Sequence, residues 1–135
     1  MATWQADFTV LFSAPWPPDY AKRLDSVASR SRELWPSTTT WGHEEGNRLD
    51  VHFEDGHPDT AMLRLDMSSW DSQFAEHVLS LLRQWGCRLT GPNGQVVEAV
   101  LGDVALAARG SPAFRFVKDP DLFFRRLQLG GLEDA

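Results

Sequence analysis

The sequence predicts a single α+β domain in which helices cover one face of an antiparallel sheet. Three observations lead to this prediction: segments with alternating apolar and polar residues, segments with apolar residues at helical spacing, and the order of the two kinds of segment. The order is strand, helix, strand, strand, helix, strand, with a helical C-terminal extension. This is the ferredoxin-like β-α-β-β-α-β order. The length fits one domain over residues 1–135, with a core that needs no metal or disulfide.

The N-terminal third contains the first strand and the first helix. The segment WQADFTVLF alternates with a period of two, which is typical of a strand with one apolar face. The segment SAPWPPDY follows, and its three prolines predict a stiff loop. Asp19 is a candidate N-cap for a helix over YAKRLDSVASRSRELW, which Pro36 ends.

The centre of the chain predicts an antiparallel hairpin. RLDVHFE and AMLRLDM both alternate, and the turn residues DGHPD lie between them. The alternation places the apolar residues Leu49, Val51, Phe53, Leu63 and Leu65 on the core side. It places Asp50, His52 and Glu54 on the outer side, together with Arg64, which can pair with a carboxylate across the strands.

The C-terminal half opens with a second helix over QFAEHVLSLLRQW, capped by SSWDS and ended by Gly86. CRLT and QVVEAV flank the turn GPNG, and LGDVALAARG predicts a short helix at most. The pattern of AFRFV predicts a short strand or an extended segment. KDPDLFFRRLQL then predicts a last helix with Asp119 as N-cap and Pro120 at its first position.

The composition limits the kinds of partner and the cellular compartment that we expect for this chain. The net charge of −6 argues against binding nucleic acid, which requires a basic surface. No apolar run approaches the length of about 20 residues that a membrane helix needs. The single cysteine, Cys87, allows no internal disulfide. Together with the absence of a signal-peptide pattern at the N-terminus, it fits a cytoplasmic protein.

The histidine-rich stretch WGHEEGNRLDVHFEDGHPDT is the first candidate for metal or acid–base chemistry. An extended strand places His43 roughly 30 Å from His52, too far apart to share one zinc ion, although folding back of GHEEGN would shorten this distance. Asp50 and Glu54 face outward beside Arg64, whereas an acid–base pair needs a cleft that shifts its pKa. Cys87 follows a helix C-terminus, where the dipole opposes a thiolate. We therefore expect no metal site, no cofactor and no catalytic residue.

The same stretch is a candidate for binding another protein. Trp16 and Trp41 lie outside the clear core patterns, and two readings remain open: exposed anchors, or side chains packed under their own loops. The predicted binding surface comprises Trp41, His43, Glu44, Glu45, Asp50, His52 and Glu54, with Trp16 in the proline-rich loop as a further contact. Its carboxylates would attract a basic partner.

Four segments, FTVLF, WGHEEGNRLDVHFEDG, LRLDM and FRFVKDPDLFFRRL, resemble small bacterial immunity-type proteins associated with polymorphic toxins. The resemblance implies an acidic, cytoplasmic, non-catalytic protein that binds and neutralises a cognate toxin, for which a basic toxin domain is a fitting partner. It assigns no residue a role. Two other functions stay open: a small-molecule-binding regulatory α+β domain, and an enzyme with no recognisable motif.

Overall fold

Six antiparallel strands form one sheet in the computed structural model, which describes residues 5–30, 36–43 and 46–110. The elements in chain order are β1 (Gln5–Leu11), α1 (Tyr20–Asp25), β2 (Thr38–Gly42), β3 (Arg48–Glu54), β4 (His57–Asp66), α2 (Ser72–Gln84), β5 (Arg88–Thr90), β6 (Val96–Glu98) and α3 (Leu101–Arg109). The strands lie in the order β2-β3-β4-β1-β5-β6. The predicted α+β class is therefore confirmed.

The core lies between the sheet and the helices. Alternation in the strands sends Phe8, Leu49 and Leu63 to one face, and each of these three side chains is fully buried. Val78 and Leu82 of α2 join the same apolar cluster, as do buried residues of α1 and α3. The opposite face of the sheet, called here the outer face, carries the polar residues of the same strands.

The observed order of elements differs from the predicted one. β2 and β6 are additional strands, one at each edge of the sheet. α3 lies on LGDVALAARG, where a short helix at most was expected. β6 pairs with β5 around the GPNG turn, as the flanking segments suggested. The predicted extended segment AFRFV and the final helix fall in residues 111–135, outside the described residues.

The first helix begins at the predicted place but ends at Asp25, well before Pro36. The carboxylate of Asp19 bonds the Arg23 Nε at 3.0 Å instead of capping the helix. Beyond Asp25, Arg30 turns back to pair with that residue at 2.7 Å and bridges to Trp41 of β2. Between Asp25 and Arg30, the predicted helix is therefore absent, and Arg30 contacts Asp25 and Trp41 instead.

The predicted hairpin is present as β3 and β4, but its turn is shorter than the predicted DGHPD, because β4 begins at His57 and only Asp55 and Gly56 separate the strands. Leu49 lies opposite Leu63, and Val51 lies opposite Ala61. Asp55 and Gly56 both adopt positive φ angles, of 54° and 78°, as a tight two-residue turn of the primed type requires. One detail was wrong: Phe53 was expected in the core, but it is only half-buried, beside a register shift in the ladder.

Both predicted ends of the second helix are confirmed. The Asp71 carboxylate accepts the amide of Phe74 at 3.0 Å, which satisfies one free N–H of the first turn. Gly86 follows the helix with a φ of 76°, the left-handed conformation that glycine adopts without strain. These contacts set the two ends of α2, whose buried residues Phe74, Val78 and Leu82 pack in the core.

Candidate functional site

Trp41 is a core residue and not an exposed anchor. Its side chain is 1% exposed, on the helix-covered face of β2. The indole N–H donates to the Asp25 carboxylate at 2.9 Å, and the Arg30 guanidinium lies 5.4 Å from the ring centroid. Because both the ring and its polar atom are already engaged within the chain, the predicted role of Trp41 in partner binding is not supported by its position.

Trp16 is buried as well, and the proline-rich loop folds it inward. It stacks on Phe12 and packs against Trp85, each at a centroid distance of 4.8 Å. Its indole N–H donates to the Cys87 Sγ at 3.3 Å. Burial raises the pKa of the Cys87 thiol, and the bond from Trp16 opposes this rise only in part. Cys87 is thus a buried thiol kept protonated, as expected for a core cysteine.

Asp50 faces outward as predicted, yet it is engaged within the sheet. It accepts a bond of 2.6 Å from the Thr40 hydroxyl and one of 3.2 Å from the Arg48 guanidinium. Its side chain is only 12% exposed. The alternation identified the face correctly, but Thr40 of β2 and Arg48 of β3 itself already engage this carboxylate, so its position does not support the predicted role of Asp50 in partner binding.

A second ion pair lies on the same face, between Asp7 of β1 and Arg64 of β4. The two residues are direct partners across the strands, and the guanidinium makes two bonds, of 2.8 and 3.1 Å. The bond to Asp7 raises the pKa of Arg64, while desolvation works against it. Arg64 therefore pairs with a carboxylate across strands, as predicted, and the partner belongs to β1.

The charges that remain available on this side lie at the far end of the hairpin. The side chains of His52, Glu54, Asp55, His57 and Asp59 are all exposed, and we call this group the hairpin end. Only His52 has a described bond there, of 3.3 Å to the Thr38 hydroxyl. The sequence has no lysine or arginine from residue 49 to residue 63. The hairpin end is thus a local concentration of negative charge.

His43 lies away from the hairpin end, where it lines a cleft between the segment that follows α1, the end of β2 and the start of α2. The cleft has a volume of about 360 Å³. Its polar lining includes Ser26, Ser29, His43, Asn47, Asp71, Gln73 and His77. Glu44 and Glu45, the neighbours of His43 in the predicted surface, lie outside the described residues.

His77 is a site residue that the sequence reading missed. It occupies the polar side of α2, opposite the stripe of Phe74 and Val78, and nothing in its spacing sets it apart from an ordinary exposed helix residue. Only the folding of β2 against the start of α2 places His43 and His77 around one cleft. The cleft can hold a small polar molecule, with hydroxyl, amide and imidazole groups as hydrogen-bonding partners.

The described residues contain neither a cluster of metal ligands nor a helix able to cross a membrane. No three His, Cys, Asp or Glu side chains within ranges 5–30, 36–43 and 46–110 gather where they could hold a metal ion. None of the helices in that part of the chain has the length and apolar character that crossing a membrane requires.

Comparisons of the chain with protein-family models, with curated proteins and with solved structures found no match.

Proposed function

We propose that the chain is a non-catalytic protein-binding domain of the immunity type, which binds and neutralises a cognate bacterial toxin in the cytoplasm. The observation that carries the proposal is the hairpin end, where carboxylates and imidazoles are exposed and free of ion pairs among the described residues. By contrast, Asp7 and Asp50 of the same face are held by Arg64 and Arg48.

The chemistry of the hairpin end suits a basic partner. Glu54, Asp55 and Asp59 lie within six residues of one another at a protruding turn. Such a group gives a local negative field that speeds the encounter with a positively charged surface and weakens as salt increases. Since Trp41 and Trp16 are buried, the proposed binding at this surface depends mainly on charge, and we expect it to be strongly salt-dependent.

The proposal is tested by capture and by charge reversal. The full chain serves as bait in a lysate of the source bacterium, and captured proteins are identified by mass spectrometry. Association of the captured toxin is then measured with Glu54→Lys and with Asp103→Lys, which changes the charge equally on α3 near the β6 edge. We expect the Glu54 variant alone to slow association, by about tenfold at low salt.

Two results would contradict this function. One is capture of no toxin by the full chain. The other is an equal slowing of association by Glu54→Lys and Asp103→Lys, because the change in net charge would then explain both effects.

The cleft beside His43 favours a second candidate, a small-molecule-binding regulatory domain. Its volume of about 360 Å³ lies within the range of ligand sites. A thermal-shift screen with small polar metabolites tests this candidate. A ligand that raises the melting temperature of the unmodified chain, but not that of His77→Ala, would support it over protein binding.

We also infer that β3, β4, β1 and β5 form a ferredoxin-like core to which β2 and β6 add the two edges. The inference is supported by their adjacency, since the first strand lies between the second hairpin strand and the strand that follows α2. An experimental structure in which β1 is not flanked by β4 and β5 would contradict it.

A further inference from the structure

An asparagine followed by a glycine, Asn93 and Gly94, lies at the tip of the turn between β5 and β6. Both residues are exposed. Gly94 has a φ of 82°, the left-handed conformation that glycine adopts without strain. A Cβ atom placed on Gly94 would meet no described atom within 4 Å. Neither a side chain of its own nor a packed neighbour on that side therefore hinders an approach to the Gly94 backbone.

This pair of residues has the groups that spontaneous deamidation requires, and asparagine is a thermolabile residue for this reason. The Gly94 nitrogen loses its proton to solvent base and attacks the side-chain carbonyl carbon of Asn93. The new C–N bond closes a five-membered succinimide ring, and the side-chain nitrogen leaves as ammonia. Water then opens the ring at either carbonyl, which gives aspartate or isoaspartate. The net reaction consumes one water and releases one ammonia, with no oxidation or reduction.

One hydrogen bond holds the reacting nitrogen in the turn. The Gly94 amide donates to the Gly91 carbonyl at 3.0 Å, so this bond must open before the nitrogen reacts. The turn joins two strands of three residues each at the edge of the sheet. Exposed segments with so little support open locally at a small part of the free energy that global unfolding requires. Asn93 can therefore react while the core of the domain stays folded.

The side chain of Asn93 also connects this turn to the end of α3. Its NH₂ group donates to the Gly110 carbonyl at 3.0 Å. Gly110 is the C-cap of α3, where the last carbonyl groups of the helix carry partial negative charge. A carboxylate in place of the amide has no proton to donate at neutral pH and faces an acceptor. Deamidation therefore turns an attractive contact at the end of α3 into a repulsive one.

We propose that Asn93 is a site of spontaneous deamidation, and that its conversion to aspartate or isoaspartate releases the end of α3 from the β5–β6 turn. The modification adds one negative charge to the chain and needs no enzyme. It lies away from the hairpin end, and the proposal does not depend on toxin binding.

The sequence contains one other asparagine, Asn47, which provides an internal control. Asn47 is 7% exposed. Its amide nitrogen donates to the Ser69 carbonyl at 2.8 Å, and its amide oxygen accepts the Asp66 backbone N–H at 3.0 Å. The next residue is Arg48, whose side chain hinders the ring closure that a glycine permits. Asn47 should therefore react only when this part of the core opens.

The experiment incubates the folded full chain in mildly alkaline buffer and follows both asparagines by peptide mass spectrometry. We expect the peptide that contains Asn93 to gain mass at least about tenfold faster than the peptide that contains Asn47. The gain in mass is the readout because Asp55, which also precedes a glycine, forms isoaspartate without a change in mass. Asn93→Gln should abolish the gain, since a glutamine would have to close a less favourable six-membered ring.

The release of α3 is tested with two variants of the same position. Asn93→Asp carries the charge of the product, whereas Asn93→Gln keeps an amide that can donate. We expect the Gly110 amide, which bonds the Ala107 carbonyl at 3.2 Å, to exchange its hydrogen at least about fivefold faster in Asn93→Asp. Thermal denaturation checks that both variants are folded. The deamidated fraction of the unmodified chain, separated by anion exchange, should behave like Asn93→Asp.

Three results would overturn the proposal. Equal rates of mass gain at Asn93 and Asn47 would mean that global unfolding, and not the turn, controls the reaction. A gain at Asn93 in the urea-unfolded chain but none in the folded chain would show that the turn protects this residue. Equal exchange of the Gly110 amide in folded Asn93→Asp and Asn93→Gln would show that the end of α3 does not depend on the amide.

Discussion

Trp41 and Asp25 are joined by a bond of 2.9 Å from the indole N–H to a carboxylate oxygen, across fifteen intervening residues of the sequence. The same carboxylate receives the Arg30 guanidinium at 2.7 and 3.0 Å. The aromatic core, the end of α1 and the edge strand β2 are therefore tied together at one point. Stability at this junction depends on the packing of Trp41 and on the charge of Asp25.

Replacing Trp41 separates these two contributions. Trp41→Ala removes a fully buried aromatic side chain, and we expect a loss of about 3–5 kcal/mol in the free energy of unfolding. Trp41→Phe keeps most of the packing but loses the bond to Asp25. We expect the lost bond to lower the free energy of unfolding by about 1–2 kcal/mol, in addition to the loss caused by the smaller side chain. Urea denaturation measures both. Equal stability of the two variants would contradict the separate role of the ring.

The charge of Asp25 predicts a dependence on acidity. Bonding to Arg30, and then to Trp41, holds the pKa of Asp25 below its usual value of 3.8. A lowered pKa in the folded state adds stability that is fully present above the unfolded value and is lost as the pH falls through the folded value. Between about pH 5 and pH 2, stability should fall less for Asp25→Asn than for the unmodified chain. Parallel curves from pH-dependent denaturation would refute this.

Two phenylalanines on the sheet should differ in their contribution. Phe8 is fully buried in the central strand, whereas Phe53 is half-buried, with its ring 6.1 Å from that of Tyr20. We expect Phe8→Ala to cost about 3–5 kcal/mol, the range for a buried aromatic residue, and Phe53→Ala about half as much. Denaturation midpoints of the two variants test the order. A greater loss for Phe53→Ala would show that the end of β3 is packed more tightly than its exposure indicates.

The ion pair of Asp7 and Arg64 predicts that removing Arg64 alone lowers stability more than removing both partners. Arg64→Met leaves the Asp7 carboxylate without its bidentate partner in a partly covered position, with a cost of about 1–3 kcal/mol. Adding Asp7→Leu removes the orphaned charge, so the double variant should recover part of that stability. Calorimetry of the two single variants and the double variant gives the coupling. Additive losses would mean that the pair contributes nothing as a pair.

The thiol of Cys87 should be unreactive in the folded protein. Burial shields the sulfur and raises its pKa, which lowers the fraction of reactive thiolate near neutral pH. A disulfide reagent should label the native chain far more slowly than the urea-unfolded chain at the same pH. The urea dependence of the labelling rate then reports the opening of the Trp16 region. Rapid labelling without denaturant would contradict the burial of this residue.

Local signals in the sequence were sufficient for the hairpin and for α2. Leu49 and Val51 alternate with polar neighbours, and the Asp55–Gly56 turn has few other conformations. Asp71 and Gly86 mark the two ends of α2 through contacts within a few residues. Each of these features follows from interactions close together in the chain, which a sequence reading can evaluate.

The features that the sequence reading missed depend on contacts between distant residues. At the end of α1, Asp25 is bonded to Trp41, sixteen positions later, as well as to Arg30. The burial of Trp16 depends on Trp85 and Cys87, about seventy positions later. Alternation placed Asp50 on the correct face, but the Thr40 hydroxyl that covers it belongs to β2, which was not predicted as a strand. The run of threonines in β2 was a local signal for a strand that went unused.

The central position of β1 has a consequence for the order in which the chain acquires structure during synthesis. Its neighbours are β4, which pairs Asp66 with Gln5, and β5, which pairs Thr90 with Thr9. Because both neighbours follow it in the chain, β1 has no hydrogen-bonding partner among the described strands until roughly half of the chain has been synthesised after it. Until then, the apolar side of β1, including Phe8 and Val10, has no sheet to join. Pairing of strands that are distant in the sequence is slow compared with the formation of a helix or hairpin. The nascent chain therefore carries an uncovered apolar strand, which chaperones can recognise before the sheet forms.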